Sequence, residues 1–116
     1  MALNGMLAHP AYAADFPGAR PIRMVVPFAP GGSSDVVGRL VGTRMATLLK
    51  QNIIVDNRAG AGGMIGANWL GQAAPRDGLT FGYLTGVAAA TAQGTESLKI
   101  DATKLPFVAG FESLGV

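Results

Sequence analysis

A chain of 116 residues has the length of one ordinary domain and is too short for two. Its 49% hydrophobic and 14% charged content lies far from the composition of disordered chains, and the absence of cysteine excludes disulfides, thiolate metal sites and thiol nucleophiles. Nine Lys and Arg against seven acids leave a net charge of +2, scattered without a basic run, and the single histidine, His9, cannot build a Ser-His-Asp triad or a multi-histidine metal centre. Composition therefore argues against nucleic-acid binding and points to no cofactor, no metal and no catalyst.

Residues 1–14 differ in character from the rest of the chain. Ala11-Tyr12-Ala13 places small residues at the two positions a signal peptidase reads. No Lys or Arg precedes them, and Asn4, His9 and Pro10 interrupt the apolar stretch. Two readings stand: the remnant of an export signal that starts further upstream, or a disordered N-terminus. No apolar stretch reaches the length of a membrane span, so direct membrane insertion is not expected.

From there the chain alternates. Residues 23–28 form a short β-branched apolar run that closes with Pro27-Phe28, which reads as a buried strand. A turn, Ala29-Pro30-Gly31-Gly32-Ser33-Ser34, comes next, its serines placed to cap a helix. Over residues 35–50, Val36, Val37, Leu40, Val41, Met45, Leu48 and Leu49 recur near the 3.6 period, predicting an amphipathic helix. Gly38 and Gly42 lower helix propensity and suggest close approach to a sheet.

The cycle repeats with a strand over 53–56, a glycine-rich loop over 57–63, and a helix over 64–74 carrying Ile65, Trp69 and Leu70. Pro75-Arg76-Asp77-Gly78 is a turn, and 79–84 a third strand. Beyond Gln93 the pattern weakens, although 107–111 has the makings of another strand, and Phe107, Val108 and Phe111 lack obvious partners. The expectation is an α/β fold: a parallel sheet flanked by helices, with residues 15–116 forming a partial lobe.

Both glycine loops leave a strand and enter a helix, and in a parallel sheet both lie at the carboxyl edge, where ligands bind. Each brings unpaired backbone N–H groups to a helix N-terminus, which favours a carboxylate or phosphate. Neither loop is a Walker loop, because no Lys-Ser/Thr pair is present, and in a dinucleotide fingerprint starting at Gly60 and Gly62 the third glycine would fall on Ile65.

Four blocks carry a resemblance to a known family: Arg20-Pro21-Ile22-Arg23; Val26-Pro27-Phe28-Ala29-Pro30-Gly31-Gly32-Ser33-Ser34-Asp35; Val55-Asp56-Asn57-Arg58-Ala59-Gly60-Ala61-Gly62-Gly63-Met64-Ile65-Gly66; and Pro75-Arg76-Asp77-Gly78. In order and spacing they resemble the Bug receptors, the substrate-binding proteins of tripartite tricarboxylate transporters. The resemblance runs from about Phe16 to the end of the chain. It departs at the last turn, where the family usually reads Pro-Asp-Gly-Tyr-Thr while here Arg76 intervenes and Leu79 replaces the aromatic. Family members are also more than twice as long.

The resemblance implies a periplasmic, two-lobed receptor, of which this chain carries part of the first lobe. Such a receptor binds a small organic mono- or dicarboxylate and presents it to membrane permease subunits. By position it assigns Phe28, Ala29, Gly31, Gly32 and Ser33 of the first loop, Gly60, Ala61, Gly62 and Gly63 of the second, and Thr85 and Gly86 after the third strand to ligand binding. The alternatives are a truncated remnant that binds nothing, and a nucleotide- or phosphate-binding enzyme domain, which the missing loop lysine opposes. Asp35 is expected to serve the helix start, since a carboxylate would repel an anionic ligand. Arg58 is expected to be a solvated loop charge or a brace for Asp56 or Asp35 rather than a partner of an anionic ligand, and Trp69 to pack the second helix onto the sheet.

Overall fold

The computed structural model describes residues 18–85, 96–101 and 104. Strand β1 (Ile22–Val26) is central in a three-stranded sheet of order β2-β1-β3, with β2 at Ile53–Asn57 and β3 at Thr80–Gly82. Both pairings are parallel, with Met24 in register with Val55 on one side and Phe81 on the other. The strands expected over 23–28, 53–56 and 79–84 thus form one parallel sheet, each with shifted ends. Strand β1 stops before Pro27, which has no N–H to continue the ladder. The possible strand over 107–111 and the N-terminal segment 1–14 lie outside the described residues.

Helix α1 (Ser33–Leu49) and helix α2 (Met64–Gln72) cover opposite faces. A Cβ on Gly38 of α1 would stand 3.0 Å from the Val26 side chain and 3.7 Å from the Met24 sulfur. One on Gly42 would stand 3.4 Å from Met24 and 3.6 Å from Ile53. The two glycines therefore let the α1 backbone settle directly on the even-numbered side chains of β1. Val25 points the other way. On that face Gly82, in register with Val25, receives Leu70 of α2.

The amphipathic reading of α1 needs correction. Its buried face consists of Asp35, Gly38 and Gly42, with Val41 and Met45 partly covered. Val36, Leu40 and Leu48 lie on the opposite face and are 59%, 71% and 69% exposed. Small residues hold the sheet side because the Met24 and Val26 side chains already fill the space there. The helix ends on Lys50 in the left-handed region (φ 52°), where the amides of both Lys50 and Gln51 reach the Ala46 carbonyl.

Against α2, buried Met64 and Ala67 pack with Leu84, Leu98 and Ile100. The segment 96–101 is laid along α2 by amide side chains: Asn68 donates to the Ser97 carbonyl (2.8 Å) and accepts from the Lys99 amide (2.7 Å), and Gln72 donates to the Lys99 carbonyl (3.2 Å). The turn before β3 is held by Asp77, which accepts from the Leu79 amide (3.0 Å) and from Arg20 (3.2 Å). No helix among the described residues is long and apolar enough to cross a membrane.

Candidate functional site

Three parallel strands bring their carboxyl ends to one edge, so the segments after β1, β2 and β3 converge there. The chain leaves β1 for β2 on one side and returns across to β3 on the other, which places a topological switch point beside β1. Crevices at such points are where open α/β sheets take ligands.

The bases of the two glycine loops are packed together. A Cβ on Gly63 would lie 3.2 Å from the Phe28 ring and 3.5 Å from Pro27. On Gly66 it would lie 2.8 Å from Pro27 and 2.9 Å from the Arg58 carbonyl oxygen. The Arg58 amide donates to the Val26 carbonyl (2.9 Å), extending the β1–β2 ladder into the loops. Their crests are open instead: nothing stands within 4 Å of a Cβ built on Gly31 or on Gly62. A ligand group could therefore meet bare backbone at both crests.

The second loop has a backbone that the sequence did not announce. Gly60, Ala61, Gly62 and Gly63 take φ of 132°, 47°, 64° and 95° in succession, and Ala61–Gly63 form a single 3-10 turn before α2. Ala61 holds the left-handed region without being glycine, a conformation that costs about 1–2 kcal/mol and that clusters at functional sites. The turn closes through Gly63 and Ile65 amides on the Gly60 carbonyl (3.0 and 3.5 Å) and the Met64 amide on that of Ala61. Among the described residues, the amides of Ala61 and Gly62 donate to nothing.

In the first loop, Gly31 (φ 85°) gives its amide to Asp35 Oδ2 (2.9 Å), and Gly32 gives its own to the Ala29 carbonyl (3.3 Å). Gly32 is the N-cap of α1, with extended backbone (φ −74°), and no side chain caps the helix. The expectation that Ser33 and Ser34 cap it is thus corrected: the helix begins one residue earlier than a serine cap requires, and both serines fall inside its first turn. Their amides are among the helix-start donors that no carbonyl of the helix can reach. Phe28 is half-buried and Ala29 and Ser33 are exposed, as is Thr85 after β3; Gly86 lies outside the described residues.

Charged groups flanking the loops are paired. Asp35, 3% exposed, accepts from Arg39 Nε (2.9 Å), the Gly31 amide and Asn57 Nδ2 (2.9 Å). The Arg39 contact foremost, then Gly31 and Asn57, bring its pKa down from 3.8 to about 2 against the opposing effect of burial. Asp56 accepts from Arg58 (3.0 Å) and Arg23 (3.1 Å), and the Arg58 guanidinium lies 3.6 Å from the centre of the Trp69 ring. Of the two roles expected of Arg58, a solvated loop charge or a brace, the structure shows the brace, on Asp56 and with Trp69 as its platform. Asn57 and Arg39 were not singled out by sequence. An amide side chain at the last position of a strand, next to a glycine-rich loop, is the signal that would have found Asn57.

What these loops offer is a set of backbone donors between ion-paired side chains, an arrangement suited to a carboxylate or another small oxyanion. The family described as tripartite tricarboxylate transporter family receptor matches residues 37–109. The protein BugT of Bordetella pertussis is 47% identical over 74 residues, covering 64% of this chain and 22% of that protein. A structure described as a periplasmic transporter superposes with a TM-score of 0.61 at 39% identity, covering 78% of this chain and 29% of its own. MatC from Rhodopseudomonas palustris, solved with bound malate, gives 0.59 at 40% identity, covering 69% and 27%. The chain thus spans less than a third of the length of these relatives.

Proposed function

The chain belongs to the tripartite tricarboxylate transporter receptor family, and from that premise we propose that it forms the ligand-binding edge of one lobe of a solute receptor. The solute is a small organic mono- or dicarboxylate, one carboxylate of which sits on the amides of the two glycine loops. The receptor works outside the cytoplasm, in the periplasm, and hands its solute to membrane permease subunits; it binds and does not catalyse.

The observation that carries this reading is the pairing of packed loop bases with open crests at one sheet edge. A carboxylate there would accept from Ser33 and Ser34 amides at the start of α1 and from Ala61 and Gly62 amides of the left-handed turn, with Ser33 Oγ as a further donor. Hydrogen bonds to a charged group contribute about 1.5–3 kcal/mol each, so two or three suffice to select an anion. Backbone donors also suit a receptor that must release its cargo, because they attract a carboxylate without a full opposing charge. The carboxylate ligand of the MatC structure agrees with this chemistry. The other end of the solute would be gripped by a facing lobe, so affinity for this chain alone is expected to be weak.

Saturation-transfer NMR of the chain with malate in millimolar excess tests the reading. Malate is expected to receive magnetisation from the native chain and to lose it in Gly62→Val. That substitution puts a branched side chain on an open crest and forces a β-branched residue into positive φ. Undiminished transfer in Gly62→Val, with the circular dichroism unchanged, would remove the loops from the site.

A further inference from the structure

Asp35, Arg39 and Asn57 close a ring of hydrogen bonds beneath the glycine loops. Arg39 Nε donates to Asp35 Oδ2 (2.9 Å), Arg39 Nη2 to Asn57 Oδ1 (3.1 Å), and Asn57 Nδ2 to Asp35 Oδ1 (2.9 Å). Two more bonds leave the ring, and both go to the first loop. Asn57 Nδ2 donates to the Phe28 carbonyl (2.9 Å), and the Gly31 amide donates to Asp35 Oδ2 (2.9 Å). These grip the loop on its two limbs, one where it leaves β1 and one where it enters α1. Asn57 is itself the last residue of β2, one position before the second loop begins.

We propose that Asn57, locked by Asp35 and Arg39, is the positioning residue that sets the first glycine loop in register with the second. This rests on the carboxylate reading above for its consequence but not for its geometry. A carboxamide is the side chain that can do it: it donates to an acid and a carbonyl on one end and accepts from a guanidinium on the other. Leucine would fill similar space and supply none of the three bonds, and aspartate would face Asp35 with a second negative charge. Arg39 has a second effect. Asp35 lies in the first turn of α1, where a bare carboxylate would oppose an incoming anion, and the guanidinium fork offsets that charge from outside. Gly31, held at φ 85° by its bond to Asp35, lifts the crest while Phe28 anchors the floor against Gly63.

The test has a ligand-free arm and a malate arm, both on the 15N-labelled full chain. In the first, amide hydrogen exchange is followed at Gly31 and at Arg23, whose amide donates to the Leu79 carbonyl in the sheet (2.7 Å). Asn57→Leu is expected to speed exchange at Gly31 at least tenfold relative to the native chain while leaving Arg23 within twofold. Arg39→Gln, at a half-exposed side chain, opens the ring from its solvent side and keeps the arm decisive if Asn57→Leu does not fold; it is expected to speed Gly31 several-fold. Unchanged Gly31 exchange in both variants, or equal acceleration at Arg23, would overturn the proposal, the latter by showing a purely global effect on stability. In the second arm, malate-induced shifts of the Ser33 and Ser34 amides should need at least tenfold more malate in the variant. Equal midpoints would refute the link to binding. A native chain that does not respond to malate would refute the carboxylate reading instead, leaving the exchange arm to decide the bracing role.

Discussion

Asp35 shows how one residue can look like a ligand contact and act as a scaffold. Its carboxylate lies under the first loop, three partners converge on it, and its pKa falls from 3.8 to about 2. Because the folded value is the lower one, the ionised group stabilises the fold fully above about pH 4 and progressively less as pH drops towards 2. The midpoint of urea unfolding should therefore rise with pH across that window, and the rise should be smaller in Asp35→Asn. Gly31 is its counterpart. At φ 85° with open space around it, Gly31→Ala meets no neighbour but must occupy the left-handed region, at a cost of about 1–2 kcal/mol. Thermal denaturation should show a lowered midpoint for Gly31→Ala and a smaller change for Gly32→Ala, where the backbone is extended.

At the scale of elements, the decisive contact is between the start of α2 and the floor of the first loop. Gly66 lies against Pro27 and the Arg58 carbonyl so closely that a methyl group would sit 2.8 Å from one and 2.9 Å from the other. The carbonyl cannot turn aside, because it belongs to the backbone that extends β2. Gly66→Ala should thus cost about 1–3 kcal/mol by prising α2 from the sheet edge, readable as a shift in the urea midpoint, despite the better helix propensity of alanine.

Much of this architecture was legible in advance. Strand–loop–helix alternation, with Pro27 closing one strand and Asp56-Asn57 another, fixes a parallel sheet whose glycine loops share an edge. The packing of α1 was not legible from its period, because Val36, Leu40 and Leu48 mark a stripe that faces away from the sheet. Gly38 and Gly42 were the better guide: close approach leaves a signature in small residues, not large ones. The left-handed run from Gly60 to Gly63 was hidden by Ala61, which no propensity argument would place at positive φ. The ring through Asn57 was hidden for another reason. Asp35 and Arg39 are an i,i+4 pair on α1, but Asn57 stands 18 and 22 residues from them and meets them only once β2 packs beside α1.

Across the whole molecule, a small sheet carries two loops whose bases are locked and whose crests are bare, while the flanking charges are held in ion pairs, Asp35 with Arg39 and Asp56 with both Arg23 and Arg58. That division assigns binding to backbone and positioning to side chains. It also explains why the apolar outer face of α1 is no guide to the ligand: it lies on the far side of the helix from the sheet. The most direct measurement is a 15N–1H correlation titration of the full chain with malate, read amide by amide. The expected result is a set of saturable shifts at Ser33, Ser34, Ala61 and Gly62, with the sheet amides of Arg23 and Tyr83 unmoved. Shifts centred elsewhere, with those four amides silent, would contradict an anion site on the glycine loops.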